Sequence, residues 1–361
     1  MSAVTLRNIG GVDLAIRVRE FVVLTGPRGC GNSAIIRGIA GLAANEQGDI
    51  LFDDRRINDL PPNERDVALL SHDYTPYPGM TVSENLAIGL ERRKFASAEI
   101  KKRVAAVAET LGLQDQLSAK PQSLSQEQQR LVGLARAMVR QPKVYLFDEP
   151  FANLDPAAAS RGRAAIAALR LRSSSTILYS TSDPVEALAI GARTVILTEG
   201  VVQQDADAQS IFDEPANLFV AKFFGAPPMN LVQGTLKQER DAVTFSEAGD
   251  GTIAIRWPAS RFTGAKELAA GPVVLGFRPQ DVEIAPAPGG SSNAFRALVD
   301  RVEPNGTETD LYLRTGAHEL ICRSRCWAQP GDAGHRLQFE IELGKTHLFD
   351  AVSGGRIMAG P

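Results

Sequence analysis

Residues 21–33 read FVVLTGPRGCGNS, and this stretch decides the fold. Phe21 to Thr25 is an apolar run of strand length, of the kind buried on both faces of a parallel sheet. It breaks into a glycine-rich turn and continues as SAIIRGIAGLA (33–43), whose apolar spacing is helical. A strand, a glycine turn and a helix N-terminus in that order bring backbone N–H groups together and make an anion site. The run Gly26-Pro27-Arg28-Gly29-Cys30-Gly31-Asn32-Ser33 has the phosphate-loop spacing GxxxxGK[ST], with Asn32 at the lysine position. The glycines admit phosphate oxygens to the backbone, and Ser33 can ligate Mg²⁺. Cys30 is a small packing residue in this reading, not a nucleophile.

Further along, Val144 to Phe147 is another wholly apolar strand, ending in Asp148-Glu149-Pro150. Asp148 stands where a Walker-B carboxylate sits beside Mg²⁺, and Glu149 is placed to polarise an attacking water. Residues 176–181 and 194–198 read as further buried strands alternating with helical stretches, the rhythm of an α/β domain. Between them Ser97 to Leu113 puts Ile100, Val104, Val107 and Leu111 on one stripe, which predicts a helical subdomain over about residues 85–140. After Gly225-Ala226-Pro227-Pro228 the segments VTFSEA, GTIAIRW, VVLGFRP and DLYLRT alternate between Gly, Pro and Asn breaks, predicting an all-β domain. The expected domains are 1–232 and 233–361. The low-complexity run APAPGGSSN (285–293) falls inside the second.

Composition narrows the partners. The chain has 361 residues, enough for about two domains, with 39 Lys+Arg against 42 Asp+Glu and a formal charge of −3. No basic surplus marks a nucleic-acid footprint, so no nucleic-acid partner is expected. The start MSAVTLRNIGG has no signal-peptide character and no apolar run approaches a membrane span, which predicts a cytosolic chain. Three cysteines, Cys30, Cys322 and Cys326, make no disulfide framework. His318, Cys322 and Cys326 recur at four-residue steps, but on a strand that step is about 13 Å, too long for one ion.

The motifs together resemble the ATP-binding subunit of ABC importers, specifically the carbohydrate type with a C-terminal regulatory domain. DLPPNERDVALLSHDYTPYPGMTVSENLAIGL is similar to the family's Q-loop region. KPQSLSQEQQRLVGLARAMVRQPKVYLFDEPFANLD is similar to its signature, Walker-B and D-loop block, and DEPANLFVAKFFGAPPMNLV to its domain junction. LGFRPQDV, VEPNGTETDLYL and HLFDAVSGGRI resemble its oligonucleotide/oligosaccharide-fold-like domain. The resemblance implies a P-loop NTPase (ABC ATPase) domain and a β-rich regulatory domain, with ATP and Mg²⁺ as cofactors. It implies ABC permease subunits as partners, docked near Tyr74 to Asn85, a second ABC ATPase in a homo- or heterodimer, and indirectly an extracytoplasmic solute-binding protein. The implied location is the cytoplasmic face of the membrane, peripherally bound.

Several positions depart from that pattern, all at the nucleotide. Asn32 replaces the loop lysine, Ala34 the next hydroxyl, His72 the Q-loop glutamine and Ser182 the switch histidine. The signature LSGGQ reads Leu124-Ser125-Gln126-Glu127-Gln128. Arg7 to Val12 has no aromatic residue to stack on adenine, while Gly26, Gly29, Gly31, Ser33, Asp148, Glu149 and the D-loop Asp155 match. Losing a charge-assisted phosphate contact costs about 1.5–3 kcal/mol and losing a base stack about 1–3 kcal/mol. Losing a preorganised donor, as at Ser182, commonly costs about 10²–10³ in rate. A Glu127 carboxylate about 4 Å from phosphate meets some 4 kcal/mol of repulsion per charge pair at an effective dielectric of 20, unless it rotates away. The expectation is an energy-coupling subunit with weak Mg-ATP binding and impaired hydrolysis. The alternative is a catalytically silent structural or regulatory subunit of the same class.

Overall fold

The computed structural model describes residues 2–43, 47–262, 271–285, 293–325 and 333–358. Cys326 and most of the 285–293 run lie outside them. The chain divides into two compact units, Met1–Ala208 and Gln209–Pro361.

The first unit runs β1 (Ser2–Ile9), β2 (Val12–Arg17), β3 (Phe21–Thr25), α1 (Asn32–Ala40), β4 (Asp49–Phe52), β5 (Arg55–Arg56), β6 (Val67–Ser71) and then three helices, α2 (Val82–Glu91), α3 (Ser97–Leu111) and α4 (Gln126–Arg140). It continues with β7 (Val144–Asp148), α5 (Pro156–Arg172), β8 (Thr176–Thr181), α6 (Pro184–Ile190), β9 (Arg193–Thr198) and β10 (Val201–Asp207). The central sheet has the order β10-β9-β3-β8-β7-β6. Its strands are parallel except β10, which pairs antiparallel with β9. Every residue of β3, β7 and β8 is buried, the result expected of apolar strands covered on both faces. A second, antiparallel sheet, β2-β1-β4-β5, contributes Val4, Leu6 and Ile16 to the same core as Leu24, Ile36, Leu146 and Leu178.

The helices between β6 and β7 are the predicted insertion. In α3 the buried line is Ile100, Val104, Ala108 and Leu111, whereas Val107 is half-buried. The helical turn carries Val107 to the margin of the stripe and leaves small Ala108 against the neighbouring helix. Helix α1 is tied down at its far end by buried Arg65, which donates to the carbonyls of Gly38, Ile39, Leu60 and Asn58. That satisfies C-terminal carbonyls that a helix otherwise leaves open.

The second unit opens on two short helices, α7 (Ala208–Asp213, starting on the last residue of the first unit) and α8 (Leu218–Phe223). Among the described residues the strands that follow are β11 (Asn230–Gln238), β12 (Ala242–Glu247), β13 (Ala254–Pro258), β14 (Pro272–Phe277), β15 (Val282–Ile284), β16 (Ala294–Asn305), β17 (Glu308–Arg314), β18 (Glu319–Ser324), β19 (Arg336–Ile341), β20 (His347–Asp350) and β21 (Arg356–Met358). They form two antiparallel sheets, β13-β12-β11-β14-β20-β21 and β15-β19-β16-β17-β18. Alternating inward residues, among them Phe245, Trp257, Phe277, Phe295 and Phe339, fill the core.

The compact units part at Ala208/Gln209, upstream of the 232/233 boundary read from the sequence. Arg278 supplies the reason. It is buried, donates to the carbonyls of Phe212, Ala221 and Phe224, and lies 4.0 Å from the Phe212 ring centroid, fixing α7 and α8 to the β unit. Burial pulls the Arg278 pKa down to about 10. His318 and Cys322 are otherwise engaged. Gln233 N–H donates to His318 Nε2 at 3.0 Å, so Nδ1 carries the proton and meets Glu247 Oε1 at 2.6 Å. The buried Cys322 thiol donates to the Val282 carbonyl.

His347 makes this unit sensitive to acid. Its ring is buried with Nδ1 unpartnered, and burial, then the charges of Arg356 and Arg278, pull its pKa from 6.5 to about 4. The unfolded chain therefore takes up this proton at a higher pH than the folded one, so stability is full above about pH 6.5 and falls through the window down to about pH 4. The loss is at most about 3 kcal/mol. In urea titrations across that window, His347→Phe should flatten the pH slope of the C-terminal unit relative to the parent chain.

Candidate nucleotide site

Strand register assembles the site. Thr25 pairs with Thr181, and Asp148 pairs with Ser180 on one side and Ser71 on the other. Hence the glycine loop after β3, Glu149 after β7, Ser182 after β8 and His72 after β6 emerge along one carboxyl edge. That edge is where parallel α/β sheets take ligands.

Within the loop, Gly29 and Gly31 have φ of 85° and 110°, left-handed conformations that favour glycine. A Cβ at Gly26 would sit 2.1 Å from the Leu197 carbonyl oxygen, so that position must be bare. Gly31 caps α1 with no side-chain hydrogen bond, leaving the first-turn N–H groups without a side-chain acceptor at the cap. Cys30 is buried, and burial raises its thiol pKa, which suits a packing role. Ala34 lines a cavity of about 420 Å³ beside the loop, with Ile9 to Val12, Cys30, Gly31, Ile35, Gln47 and Gly200.

Ser33 and the neighbouring strand meet at Asp148. Ser33 Oγ and Ser180 Oγ each donate to Asp148 Oδ1 at 2.7 Å. The carboxylate is 0% exposed, and its Oδ2 has no hydrogen bond. Arg37 Nε lies 3.9 Å from Oδ2, close enough for attraction and too long for a hydrogen bond, while its Nη2 donates to Asp73 at 3.3 Å. Glu149 sits at φ 45°, its N–H held by the Ser180 carbonyl and hydroxyl. Asn32 is 8% exposed with a buried, unpartnered Oδ1.

These atoms fit a magnesium–phosphate ligand. Asp148 and Ser33 offer hard oxygens at one point, with a carboxylate oxygen to spare, and the loop offers backbone donors. At residue 32 the fit is poorer: the amide can give a neutral N–H but no charge. Magnesium would supply charge neutralisation on the phosphates, while Asn32, Ser33 and the loop backbone hold and orient them.

The other expected residues are placed as follows. His72 is exposed on the turn after β6, and Ser182 is half-buried just before Asp183, which caps α6 through the Val185 N–H. Ser125 caps α4 in a reciprocal box with Gln128, and Gln126 opens that helix. Asp155 caps α5 by accepting from the N–H groups of Ala157 and Ala158. Among the described residues no hydrogen bond or ion pair joins residues 125–128 to the loop.

Glu127 is engaged by a cation. Arg161 grips its carboxylate through Nε at 2.6 Å and Nη2 at 2.7 Å, holding its pKa below the usual range. A bidentate guanidinium offsets the Glu127 charge. Ser180, Arg37 and Arg161 escaped the sequence reading. Strand register alone reveals Ser180, and Arg161 lies 34 residues from its partner.

A loop serine bonded to the carboxylate at the end of a parallel strand two places along the sheet is the arrangement of a P-loop nucleotide-binding domain. Comparison with known proteins narrows the class. Residues 9–152 match the ABC transporter family and residues 225–282 the MalK OB fold domain. The chain is 38% identical over 344 residues to the uncharacterized ABC transporter ATP-binding protein YurJ of Bacillus subtilis (strain 168), covering 94% of this chain and 92% of the relative. It is 37% identical over 341 residues to the uncharacterized protein YcjV of Escherichia coli O157:H7, with the same coverage, 94% and 92%. It is 36% identical over 345 residues to the alpha-glucoside transport ATP-binding protein AglK of Rhizobium meliloti (strain 1021), covering 95% and 93%. The chain belongs to the ABC transporter ATP-binding proteins, and its ABC domain implies ATP binding, generally with Mg²⁺. Among the described residues no helix is long and apolar enough to cross a membrane.

Two substitutions test the geometry. Asp148→Asn keeps an acceptor for both serine hydroxyls but removes the charge. Thermal melts should show a folded protein in which Mg²⁺ adds nothing to stabilisation by nucleotide. Arg161→Ala breaks an exposed pair and should change unfolding free energy by less than about 1 kcal/mol in urea.

Proposed function

We propose that this chain is the nucleotide-binding, energy-coupling subunit of an ABC importer for a sugar or related polar solute, with weakened Mg-ATP binding and impaired hydrolysis. One observation carries the reading: the neutral Asn32 amide stands at the head of α1 beside an intact Ser33–Asp148 pair. The magnesium side is kept and the phosphate charge is lost. Glu149 and Asp148 are the carboxylates for the water and the metal, while Ser182 has no imidazole to bridge water and γ-phosphate. His72 takes the Q-loop position, and Ser125 to Gln128 with Asp155 form the face offered to a second ABC ATPase, identical or intact.

The permease surface is the segment from Tyr74 to Asn85. Buried Asn85 braces it, accepting from Tyr77 N–H and donating to the carbonyls of Tyr77, Met80 and Thr81. Exposed Tyr77 is covered by Arg136, whose guanidinium lies 4.5 Å from the ring centroid and donates to the hydroxyl. A stiff aromatic and cationic tip of this sort suits a docked helix end. The sugar assignment is supported by AglK, named for alpha-glucoside transport, and by the MalK OB fold match. An extracytoplasmic solute-binding protein would complete such an importer.

Purified alone, the chain should show negligible Mg²⁺-dependent ATP turnover; robust hydrolysis by a homogeneous sample overturns impairment. Asn32→Lys, Ser182→His, Gln126→Gly and Glu127→Gly combined should restore turnover if the defect is local. No gain would favour the catalytically silent subunit. Native purification should recover permeases, and recovery with this ATPase type alone would exclude pairing with an intact ATPase.

A further inference from the structure

A cavity of about 740 Å³ opens at the edge of the central sheet opposite the nucleotide residues. Val144 and Thr176, paired at the starts of β7 and β8, line it, whereas Asp148 ends β7 at the nucleotide edge. Its volume lies in the range of small-molecule sites, about 300–1,000 Å³. The rest of the lining comes largely from α3, from the ends of α4 and α5, and from the turns that lead into β7 and β8. The nucleotide chemistry gives none of these groups a task.

The lining mixes apolar surface with hydroxyls. Val107, Met138 and Leu169 supply the first, and Thr110, Ser173, Ser174 and Ser175 the second, with the exposed Gln141 amide beside them. Part of the polar wall is preset by its own bonds. Ser173 Oγ donates to Ser175 Oγ at 2.9 Å and accepts from the Ser175 N–H at 3.0 Å, while Ser175 Oγ donates to the Pro142 carbonyl. Arg172 Nη1 donates to Thr110 Oγ1 at 3.3 Å, joining the end of α5 to α3.

Charge decides what kind of molecule fits. The lining holds two cations, Lys143 and Arg172, and two carboxylates, Asp53 and Asp66. Lys143 Nζ lies 3.0 Å from Asp53, and Asp66 meets Arg93 at 3.4 Å. Helices α4 and α5 both end at the cavity, with Gln141 and Ser173 as their C-caps, so helix carbonyl ends add partial negative charge. An anion is repelled by the carboxylates and the helix ends, and a cation by the guanidinium and the ammonium. A neutral molecule escapes both costs. One that carries many hydroxyls donates and accepts at each, which matches the serines, the amide and the charged heads, and its C–H faces can cover the apolar surface.

We propose that this cavity is a binding site for a neutral, polyhydroxylated molecule of the sugar type, separate from the nucleotide edge. The site stands on the cavity's own chemistry, and the importer reading guides only the choice of probes. Its failure would leave that reading untouched.

The test is titration calorimetry of the full chain with glucose and maltose, and with glucose 6-phosphate and glucosamine as charged counterparts. The expected result is saturable binding of at least one neutral sugar, with both charged counterparts weaker than glucose or undetected. Absence of binding by both neutral sugars overturns the proposal. So does glucose 6-phosphate or glucosamine binding more tightly than glucose. Two variants test the placement. Arg172 is exposed and gives up one hydrogen bond in Arg172→Ala, which should stay folded by circular dichroism and bind the sugar about tenfold more weakly. Val107 is half-buried at the cavity, so Val107→Trp should fill it and remove binding. Unchanged affinity in both folded variants overturns the assignment to this cavity.

Discussion

A single carboxylate organises the first unit. Asp148 is wholly buried at the end of β7, and the hydroxyls of Ser33 and Ser180 converge on one of its oxygens. Those bonds tie the helix after the glycine loop to two adjacent strands. A buried charge with one oxygen unpartnered is costly unless a cation is at hand. Arg37, at 3.9 Å, gives partial compensation, and Mg²⁺ would complete it. The end of β7 thus offers a cation one free carboxylate oxygen.

Around that fixed point, charge is sparse or paired. Asn32 places a neutral amide in the loop, while Glu127 places an anion at the head of α4. Arg161 offsets the latter by a bidentate grip, so α4 begins with an ion pair. The caps at Ser125 and Asp155 keep both helix starts in order without any ligand. The starts of both helices are therefore held by hydrogen bonds of their own segments.

Much of this was legible in the sequence. The apolar runs at 21–25 and 144–147 became fully buried parallel strands, because continuous apolarity in a short segment requires cover on both faces. The alternating segments beyond residue 230 became antiparallel sheets for the complementary reason. The α3 stripe was read correctly at Ile100, Val104 and Leu111 and missed Ala108 for Val107, since a side chain at the margin of a helical face looks the same in sequence as one at its centre. The division at Ala208 was hidden: what fixes α7 and α8 is Arg278, more than fifty residues downstream.

The sequence by itself determined the order of strand, loop and helix, the α/β and all-β character of the two parts, and the identities of Asn32, Ser182 and Glu127. These follow from local periodicity and motif spacing, which short-range sterics enforce. Tertiary structure alone decided that Ser180 shares Asp148 with Ser33, that Arg161 grips Glu127, and that Gly200 closes on the Gly10–Gly11 turn. Each of those contacts joins residues far apart in the chain. Their distance in space is set by strand register and helix packing, quantities that no local pattern encodes.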